Sequence, residues 1–445
     1  MGHKICVIGS GYVGLTMAVC FASKGMDVTC VDVDKERVEK IKRGKPPVYE
    51  PGLEEILAKV TSDGTLKATD EYAEGMENTE FSFICVGTPS RPDGGIDLSY
   101  ITSAAEAVGK NLHVASKNHL VVVKSTVVPG TTSQIVAPIL ESSSGMKIGQ
   151  DFSLTFNPEF LREGSAVEDT LHPDRIIIGE HDEGSGKRLL NLYREFYDDL
   201  LPPYIITNTV NAELIKYANN AFLATKISFI NEIANICQRI PGADVEVVAK
   251  GIGLDKRIGP LFLKAGLGYA GPCLPKDLSA LITYAQSLGY DPLILRSVQH
   301  TNEHQPYKAV LLAKNLLKTL KGKKVALLGL VFKPNTDDVR NSISLKLIDI
   351  LLKEGAQVTV FDPKGLENAK KLLGNTVLYA NSAMECIKDA DCCIIVTEWD
   401  EFKKLRPEDF TSLMRTPVVV DGRRIYDTKE FSNKLIYATI GYCSP

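Results

Sequence analysis

Near the start of the chain, Gly9, Gly11 and Gly14 stand in the spacing G-x-G-x-x-G. An apolar run at residues 4–8 precedes them and a helical pattern at 13–24 follows. A second apolar run at 27–33 contains Asp32 near its end. The triplet alone is a weak signal, but in this setting it predicts a strand, a tight turn and a helix whose N-terminus faces a pyrophosphate. Glycine allows the turn and lets the amides around Tyr12 and Val13 come close to phosphate oxygens. Asp32 is suited to accept both hydroxyls of a ribose and to repel a 2′-phosphate, which points to NAD over NADP. Arg37 is the nearby cation that such a phosphate would use.

The pattern that begins there continues. Apolar runs at 81–86, 120–124, 153–156 and 175–178 alternate with helical stretches, one beginning near Lys35, and predict a doubly wound parallel sheet over residues 1–200. Residues 209–239 contain no Gly or Pro. Val210, Leu214, Tyr217, Ala221, Ala224, Ile227 and Ile230 recur there at helical spacing. A long helix therefore opens a helical connecting domain at 201–320. A second α/β pattern fills 321–445, with strands at 324–328, 357–361, 392–396 and 417–420 and a helix at 342–353. The fold class is thus α/β, two Rossmann-like domains joined by helices. A cleft between the α/β domains is the expected ligand site.

A formal charge of −4 gives no basic field for nucleic acid or an anionic membrane. No apolar run reaches membrane-spanning length, and the first residues read as a strand rather than a secretion signal, so the expectation is a cytoplasmic protein. The ten cysteines include no C-x-x-C pair and no zinc spacing, so no metal is expected. Nine of them fit the pattern of reduced core thiols.

Cys273 differs. It lies in G-L-G-Y-A-G-P-C-L-P-K-D, residues 266–277, where glycines and prolines impose an irregular backbone and Lys276 and Asp277 follow at once. A thiol on such a loop, beside a cation and a carboxylate, has the ingredients of an activated nucleophile. A dehydrogenase with such a thiol can hold an aldehyde covalently and oxidise it again. Loops V-G-T-P (86–89) and K-S-T-V-V-P-G-T-T (124–132) end two strands and should face the nicotinamide, with Thr126 a candidate polar group near the reacting carbon. Lys216 and Asn220 lie one helical turn apart, and so do Glu159 and Glu163 if their segment is helical. By spacing alone, both pairs also suit solvated surface, and Thr126 suits an ordinary loop hydroxyl.

Taken in order, G-S-G-Y-V-G, Y-E-P-G-L, V-G-T-P, K-S-T-V, N-P-E-F-L-R-E-G, P-D-R-I-I-I-G, K-Y-A-N-N-A-F-L-A, F-L-K-A-G-L-G-Y-A-G-P-C-L-P-K-D, F-K-P-N-T-D-D-V-R and V-V-D-G-R resemble the nucleotide-sugar 6-dehydrogenases of the UDP-glucose/GDP-mannose dehydrogenase family over nearly the whole chain. The UDP-glucose branch is the most similar. The resemblance implies that Cys273 is the catalytic thiol, that Lys216, Asn220 and Asp277 position water and stabilise an oxyanion, and that Glu159 is the base for thioester hydrolysis, with Thr126 and Glu163 completing the polar set. It implies that Thr88, Ser125, Thr126, Glu163, Cys273, Lys276 and Arg340 lie on the cofactor side. For the substrate it implies Phe160, Leu161, Arg162, Glu163, Phe262, Gly268, Tyr269 and Phe332, with Lys264 on the diphosphate and Lys333 and Arg423 reaching from the last domain. Arg257 would reach the substrate of a neighbouring subunit, which makes a homodimer. One departure stands out: the UDP-glucose branch usually carries G-G-S-C, and this chain has A-G-P-C, as in the N-acetylhexosamine branch. GDP-mannose enzymes share F-L-R-E and C-L-P-K-D. A two-electron hydroxyacid dehydrogenase, or a silent sensor of NAD and nucleotide sugar, are the readings that the Cys273 constellation argues against.

Overall fold

Strands covered by helices on both faces are mainly apolar, and the central strands here follow that rule apart from a few buried polar residues, such as His119 and Ser82, which bond to each other. The computed structural model describes residues 2–444. They divide into two compact units that meet at Asn219 and Asn220.

In the first unit, strands β1 (Lys4–Ile8), β2 (Asp27–Val31), β3 (Leu66–Thr69), β4 (Phe81–Ile84), β5 (His119–Val123), β6 (Phe152–Phe156), β7 (Ile176–Glu180) and β8 (Tyr204–Asn208) form one sheet. Its order is β3-β2-β1-β4-β5-β6-β7-β8, and every pair is parallel except β6 with β7. β4 and β5 are buried throughout. The apolar runs locate six of the eight strands to within two residues. β3 and β8 lie at the edges: β3 has four residues, of which only Leu66 and Ala68 are apolar, and β8 has no buried residue, with Tyr204 and Ile205 exposed, so neither leaves a clear pattern.

In the second unit, β9 (Lys324–Leu328), β10 (Gln357–Phe361), β11 (Leu378–Tyr379), β12 (Cys392–Ile395), β13 (Val418–Asp421) and β14 (Ile436–Thr439) form a wholly parallel sheet in the order β11-β10-β9-β12-β13-β14. The helices at residues 220–317 belong to this unit. Ile230, Ala234, Leu263, Leu267, Ala309 and Ala313 share one core with the strand residues Leu327, Ile394 and Val419. The order of the first five strands repeats between the sheets, and so does the turn after the leading strand. Gly9 N donates to Val31 O at 2.8 Å, and Gly329 N to Phe361 O at 2.9 Å.

The long helix runs Thr209–Cys237. Its buried apolar positions are Ala212, Tyr217, Ala221, Ala224, Ile230, Ala234 and Cys237. Val210 and Leu214, expected on that face, are instead 40% and 43% exposed. Glu213, Lys216 and Asn220 take the buried stripe in their place. A hydropathy reading scores those three as solvent-facing, so it rotates the stripe at this end of the helix.

The second unit is closed by its C-terminal strand. Residues 441–443 pair with 242–245 through Val245 N to Gly441 O, Gly242 N to Cys443 O and Cys443 N to Ala243 O. Beside them the buried Arg424 guanidinium donates to Ile440 O at 2.7 Å, Asp244 Oδ1 at 2.6 Å and Glu246 Oε2 at 3.2 Å. Arg424→Met leaves these acceptors without their donor. Asp244 and Glu246 are partly exposed, so the expected cost is about 2 kcal/mol, below that of a fully buried pair. Hydrogen exchange at the Val245 amide should then speed up by about 30-fold; unchanged protection would mean that Arg424 does not hold this seam.

Candidate functional site

In the first unit, the three glycines are required for three different reasons. Gly9 has φ +95°, and a Cβ there would lie 2.9 Å from Cys85 O. A Cβ on Gly14 would lie 1.9 Å from Gly9 O, so the helix Tyr12–Ser23 packs on the turn only through glycine. Gly11 faces open space, with nothing within 4 Å of a Cβ. That opening lies at a helix N-terminus, where free amides favour an anion. Asp32 accepts from Ser10 N at 2.7 Å, Ser10 Oγ at 2.5 Å and Asp34 N at 3.0 Å. A carboxylate has roughly four acceptor positions, and rotation of the Ser10 hydroxyl would free another, so Asp32 can serve a ribose. Arg37 is already paired, 3.4 Å from Asp34. These residues fit a nicotinamide dinucleotide.

The loops expected near its nicotinamide are tied together. Thr88 Oγ1 donates to Thr126 O at 2.9 Å, and Ser125 Oγ to Val86 O at 2.7 Å. The hydroxyls of Thr88 and Ser125 are therefore spent on loop shape.

Residues 157–164 form no helix, so Glu159 and Glu163 do not share a helical turn. Pro158 removes an amide, Asn157 is held by its own side chain, and Gly164 takes φ +84°. Glu159 is buried instead. Its Oε1 accepts from Lys216 Nζ at 2.9 Å and its Oε2 from Leu161 N at 2.6 Å, while its carbonyl accepts from Lys216 at 2.7 Å. Burial pushes the carboxyl up, but the Lys216 ammonium, the Leu161 amide and the more distant Lys124 together hold it below the usual carboxylate range. Lys216 is 4% exposed, so this pair is no solvated helix edge. Phe160 is flanked by two cations, with Arg175 3.8 Å and Lys216 5.3 Å from its ring centre. Arg162 turns outward onto Asp169.

In the second unit, Cys273 is the exposed thiol and the N-cap of the helix Leu274–Ser287. A thiolate there would meet the positive end of the helix dipole. Asp277, in the first turn, is buried; its Oδ2 accepts from Asn220 Nδ2 at 2.6 Å and its Oδ1 from Lys276 Nζ at 2.6 Å. Asp277 therefore orients the Asn220 amide. Phe332 lies flat enough on Gly271 that a Cβ there would come within 2.6 Å of its ring. Lys333 lies 5.6 Å from the Phe332 ring centre. Arg423 donates to Gly268 O at 3.2 Å and Val396 O at 2.6 Å. Lys264 and Phe262 are exposed, Tyr269 is buried, Arg340 pairs with Asp338 at 2.5 Å, and Arg257, 89% exposed, pairs with Asp255.

Of the residues that hold these loops, Glu50 lies in the Y-E-P-G-L motif, and Glu213, Asn231, Asn302 and Gln305 belong to no motif. Glu50 accepts from Gly164 N at 2.7 Å and Ala166 N at 2.8 Å, and so fixes the end of the Glu159 loop. Glu213 accepts from Gly130 N at 2.6 Å and Thr132 N at 2.8 Å at the end of the Thr126 loop. In the second unit Asn302 makes a two-way bond with Tyr269: Tyr269 N donates to Oδ1 at 2.8 Å and Nδ2 donates to Tyr269 O at 2.9 Å. Asn231 Oδ1 takes Gly266 N and Gln305 Nε2 reaches Gly266 O, both at 2.8 Å. Amides and acids at such distances in sequence resemble surface residues until the chain is folded.

Comparison with known proteins returns the family models of the UDP-glucose/GDP-mannose dehydrogenase family: its NAD binding domain over residues 3–197, its central domain over 210–304 and its UDP binding domain over 326–428. The chain is 43% identical to UDP-glucose 6-dehydrogenase AglM of Haloferax volcanii, across 96% of this chain and 98% of that one. It is 44% identical to UDP-glucose 6-dehydrogenase YwqF of Bacillus subtilis, across 96% and 94%. Among solved structures, a UDP-glucose dehydrogenase from Pyrobaculum islandicum superposes with TM-score 0.91 at 42% identity, covering 100% of this chain and 98% of that one. A UDP-D-ManNAc dehydrogenase from Pyrococcus horikoshii gives 0.87 at 31%, covering 98% and 99%.

Asn302→Ala strips both groups of Tyr269 of their buried partner. The Tyr269 amide should exchange at least about tenfold faster, since an unmet buried group costs about 1–3 kcal/mol. Asn302→Asp keeps the acceptor but sets a negative oxygen against Tyr269 O, and should be the worse of the two. If both variants exchange like the parent, the glycine loop does not depend on Asn302.

Proposed function

We propose, from the premise that this chain belongs to the UDP-glucose/GDP-mannose dehydrogenase family, that it carries out the NAD-dependent four-electron oxidation of UDP-glucose at C6 to UDP-glucuronate. The observation that carries this reading is the exposed Cys273 thiol at a helix N-terminus, one turn from a buried Asp277 that is bonded to Asn220 and Lys276. A two-electron alcohol dehydrogenase needs no such thiol. Support for the substrate comes from relatives named UDP-glucose 6-dehydrogenase at 41–44% identity over nearly the full chain.

When bound, NAD supplies the acceptor for each of two hydrides. The residues of the chain do the rest. After C6 has lost a hydride and its hydroxyl a proton, the Cys273 thiolate adds to the aldehyde carbon and the carbonyl oxygen becomes an oxyanion. Lys216 and Asn220 are the donors for that oxyanion. Loss of the second hydride restores the carbonyl as a thioester. Water, giving a proton to Glu159, adds to that carbonyl, and collapse of the adduct expels Cys273 as thiolate with the carboxylate as product. Glu159 suits this role because its surroundings keep it ionised and ready to accept a proton.

Asp32, with Arg37 already paired to Asp34, supports NAD as the form of the cofactor. A homodimer is supported by the outer face of the long helix, where Phe222, Phe229 and Ile236 recur every seven residues and remain exposed. Arg257 would then serve the neighbouring subunit. A second sugar reading, UDP-N-acetylhexosamine, is favoured by Pro272 and by the structural likeness to a UDP-D-ManNAc dehydrogenase.

Followed at NADH absorbance, the enzyme should form two NADH for each UDP-glucose and release a carboxylate; one NADH with free aldehyde would sink the thioester route. Cys273→Ser should slow the complete oxidation by on the order of 10³-fold or more, and a normal rate would remove Cys273 from the mechanism. Faster turnover of UDP-N-acetylhexosamine would change the sugar and leave the chemistry. Phe229→Glu should sediment as a monomer where the parent is a dimer; a dimer of unchanged stability would place the interface elsewhere.

A further inference from the structure

Lys124 follows β5 directly and precedes Ser125 and Thr126. It is buried, and no carboxylate lies within ion-pair distance of it among the described residues. Its ammonium is held by neutral oxygens: Asn157 Oδ1 at 2.8 Å and Asn157 O at 3.4 Å. Asn157 is itself fixed from three sides. Tyr193 OH donates to its Oδ1 at 2.5 Å, its Nδ2 donates to Ile177 O at 2.7 Å, and its N donates to Val123 O at 2.8 Å. A buried cation without an anion in contact is costly, and such groups are usually retained for function.

The groups that face it limit what that function can be. Cys85, at the end of β4, is a neutral thiol, since burial pushes it up to about 12. Tyr193, from the helix Ser185–Phe196, is a neutral phenol raised by burial. The charges that remain are Glu159 and Lys216. Lys216 cannot neutralise Glu159 and an oxyanion at the same time. Once its ammonium turns to an oxyanion, a buried Glu159 would tend to take up a proton and could no longer accept one from water.

We propose that Lys124 is a positioning residue: its ammonium keeps Glu159 ionised while Lys216 is engaged by the oxyanion, and its bonds to Asn157 fix the first residue of the loop that carries Glu159. This rests on the reading of Glu159 and Lys216 given above. Lys124 suits the task because both of its acceptors are neutral oxygens of Asn157, so its charge is not already committed to a contacting carboxylate as that of Lys216 is.

The experiment begins with wild-type stoichiometry, two NADH per nucleotide sugar, which tests the underlying reading alone. The Glu159 carboxylate is then titrated by infrared difference against Glu159→Gln in the wild-type, Lys124→Gln and Lys124→Arg backgrounds, a measurement that needs no turnover. Lys124→Gln keeps a donor for Asn157 and removes the charge. The carboxylate should titrate about one pH unit higher there, the acid limb of kcat should rise with it, and KM for the nucleotide sugar should change less than about threefold. Lys124→Arg keeps the charge and should titrate like the parent. If Glu159 titrates alike in all three backgrounds, the proposal is wrong, whatever happens to activity or thermal stability.

Discussion

A polar side chain on the buried face of a helix must find its partner within its own length, and the long helix carries five of them beyond its first residue, Thr209. Glu213, Lys216, Asn220, Ser228 and Asn231 all lie on the face turned from solvent. Each loses its water on folding, and each is compensated by a bond to a distant segment, a loop for Glu213, Lys216 and Asn231 and a helix for Asn220 and Ser228. Glu213 takes the amides of Gly130 and Thr132, and Lys216 takes Glu159. Asn220 takes Asp277, Ser228 donates to Val298 O at 3.0 Å, and Asn231 takes the amide of Gly266. An unmet buried group costs about 1–3 kcal/mol, so these contacts specify loop positions more than they add net stability. The segments they fix include those that bear Thr126, Glu159 and Cys273.

The repeated strand order of the two sheets shows how one architecture serves two different ligands. In both, an acid follows the second strand and reaches the turn after the first. In the first unit Asp32 meets Ser10, keeps acceptor capacity, and looks onto a turn left open at Gly11. In the second, Asp362 is saturated: Leu330 N, Val331 N and Trp399 Nε1 reach Oδ2, and Lys364 N and Gly365 N reach Oδ1. No acceptor is left for a ribose. No helix starts at the turn either; the next eight-residue or longer helix begins at Ile343. The second sheet has kept the topology and lost the chemistry of a dinucleotide site, which leaves residues 330–342 available for another role.

Both the fold class and the glycine triplet were legible because each rests on a local rule: central parallel strands are mainly apolar, and G-x-G-x-x-G reports a backbone that needs glycine. The edge strands escaped for two reasons: β3 is four residues long with only two apolar ones, and β8 buries none of its residues. The face of the long helix was misjudged at Val210 and Leu214 because hydropathy counts Glu213, Lys216 and Asn220 as surface, and nothing local reveals that their partners are fifty or more residues away. Glu159 and Glu163 were a helical pair only on the assumption of a helix, which Pro158 and the Asn157 side chain prevent. Asn231, Asn302 and Gln305 were invisible for the same reason as Glu213: a group that serves by bonding a distant backbone has no motif of its own, and Glu50, though inside Y-E-P-G-L, carried no hint of its partners at Gly164 and Ala166.

The cost of the charges at the end of the first sheet indicates why they sit there. Burial, opposed by Cys85 and Glu159 and aided by Lys216, brings Lys124 down to about 8 from an ordinary value of 10.5. Below pH 8 the lysine is charged in the folded and the unfolded chain alike, and the folded chain carries the full penalty, roughly 3 kcal/mol. The penalty fades only as pH rises from 8 towards 10.5, where the folded chain has lost its proton and the unfolded chain has not. At neutral pH the fold is therefore held in its more expensive ionisation state. An apolar residue in that place would cost less, and the four residues before it, Leu120 to Val123, are all apolar. The position is not random either: Lys124 stands at the carboxyl end of a central strand, where open α/β sheets bind their ligands. A cation kept there at a loss to stability, bonded to neutral oxygens and close enough to feel Glu159 and Lys216, is what the roles proposed above for those two residues would call for.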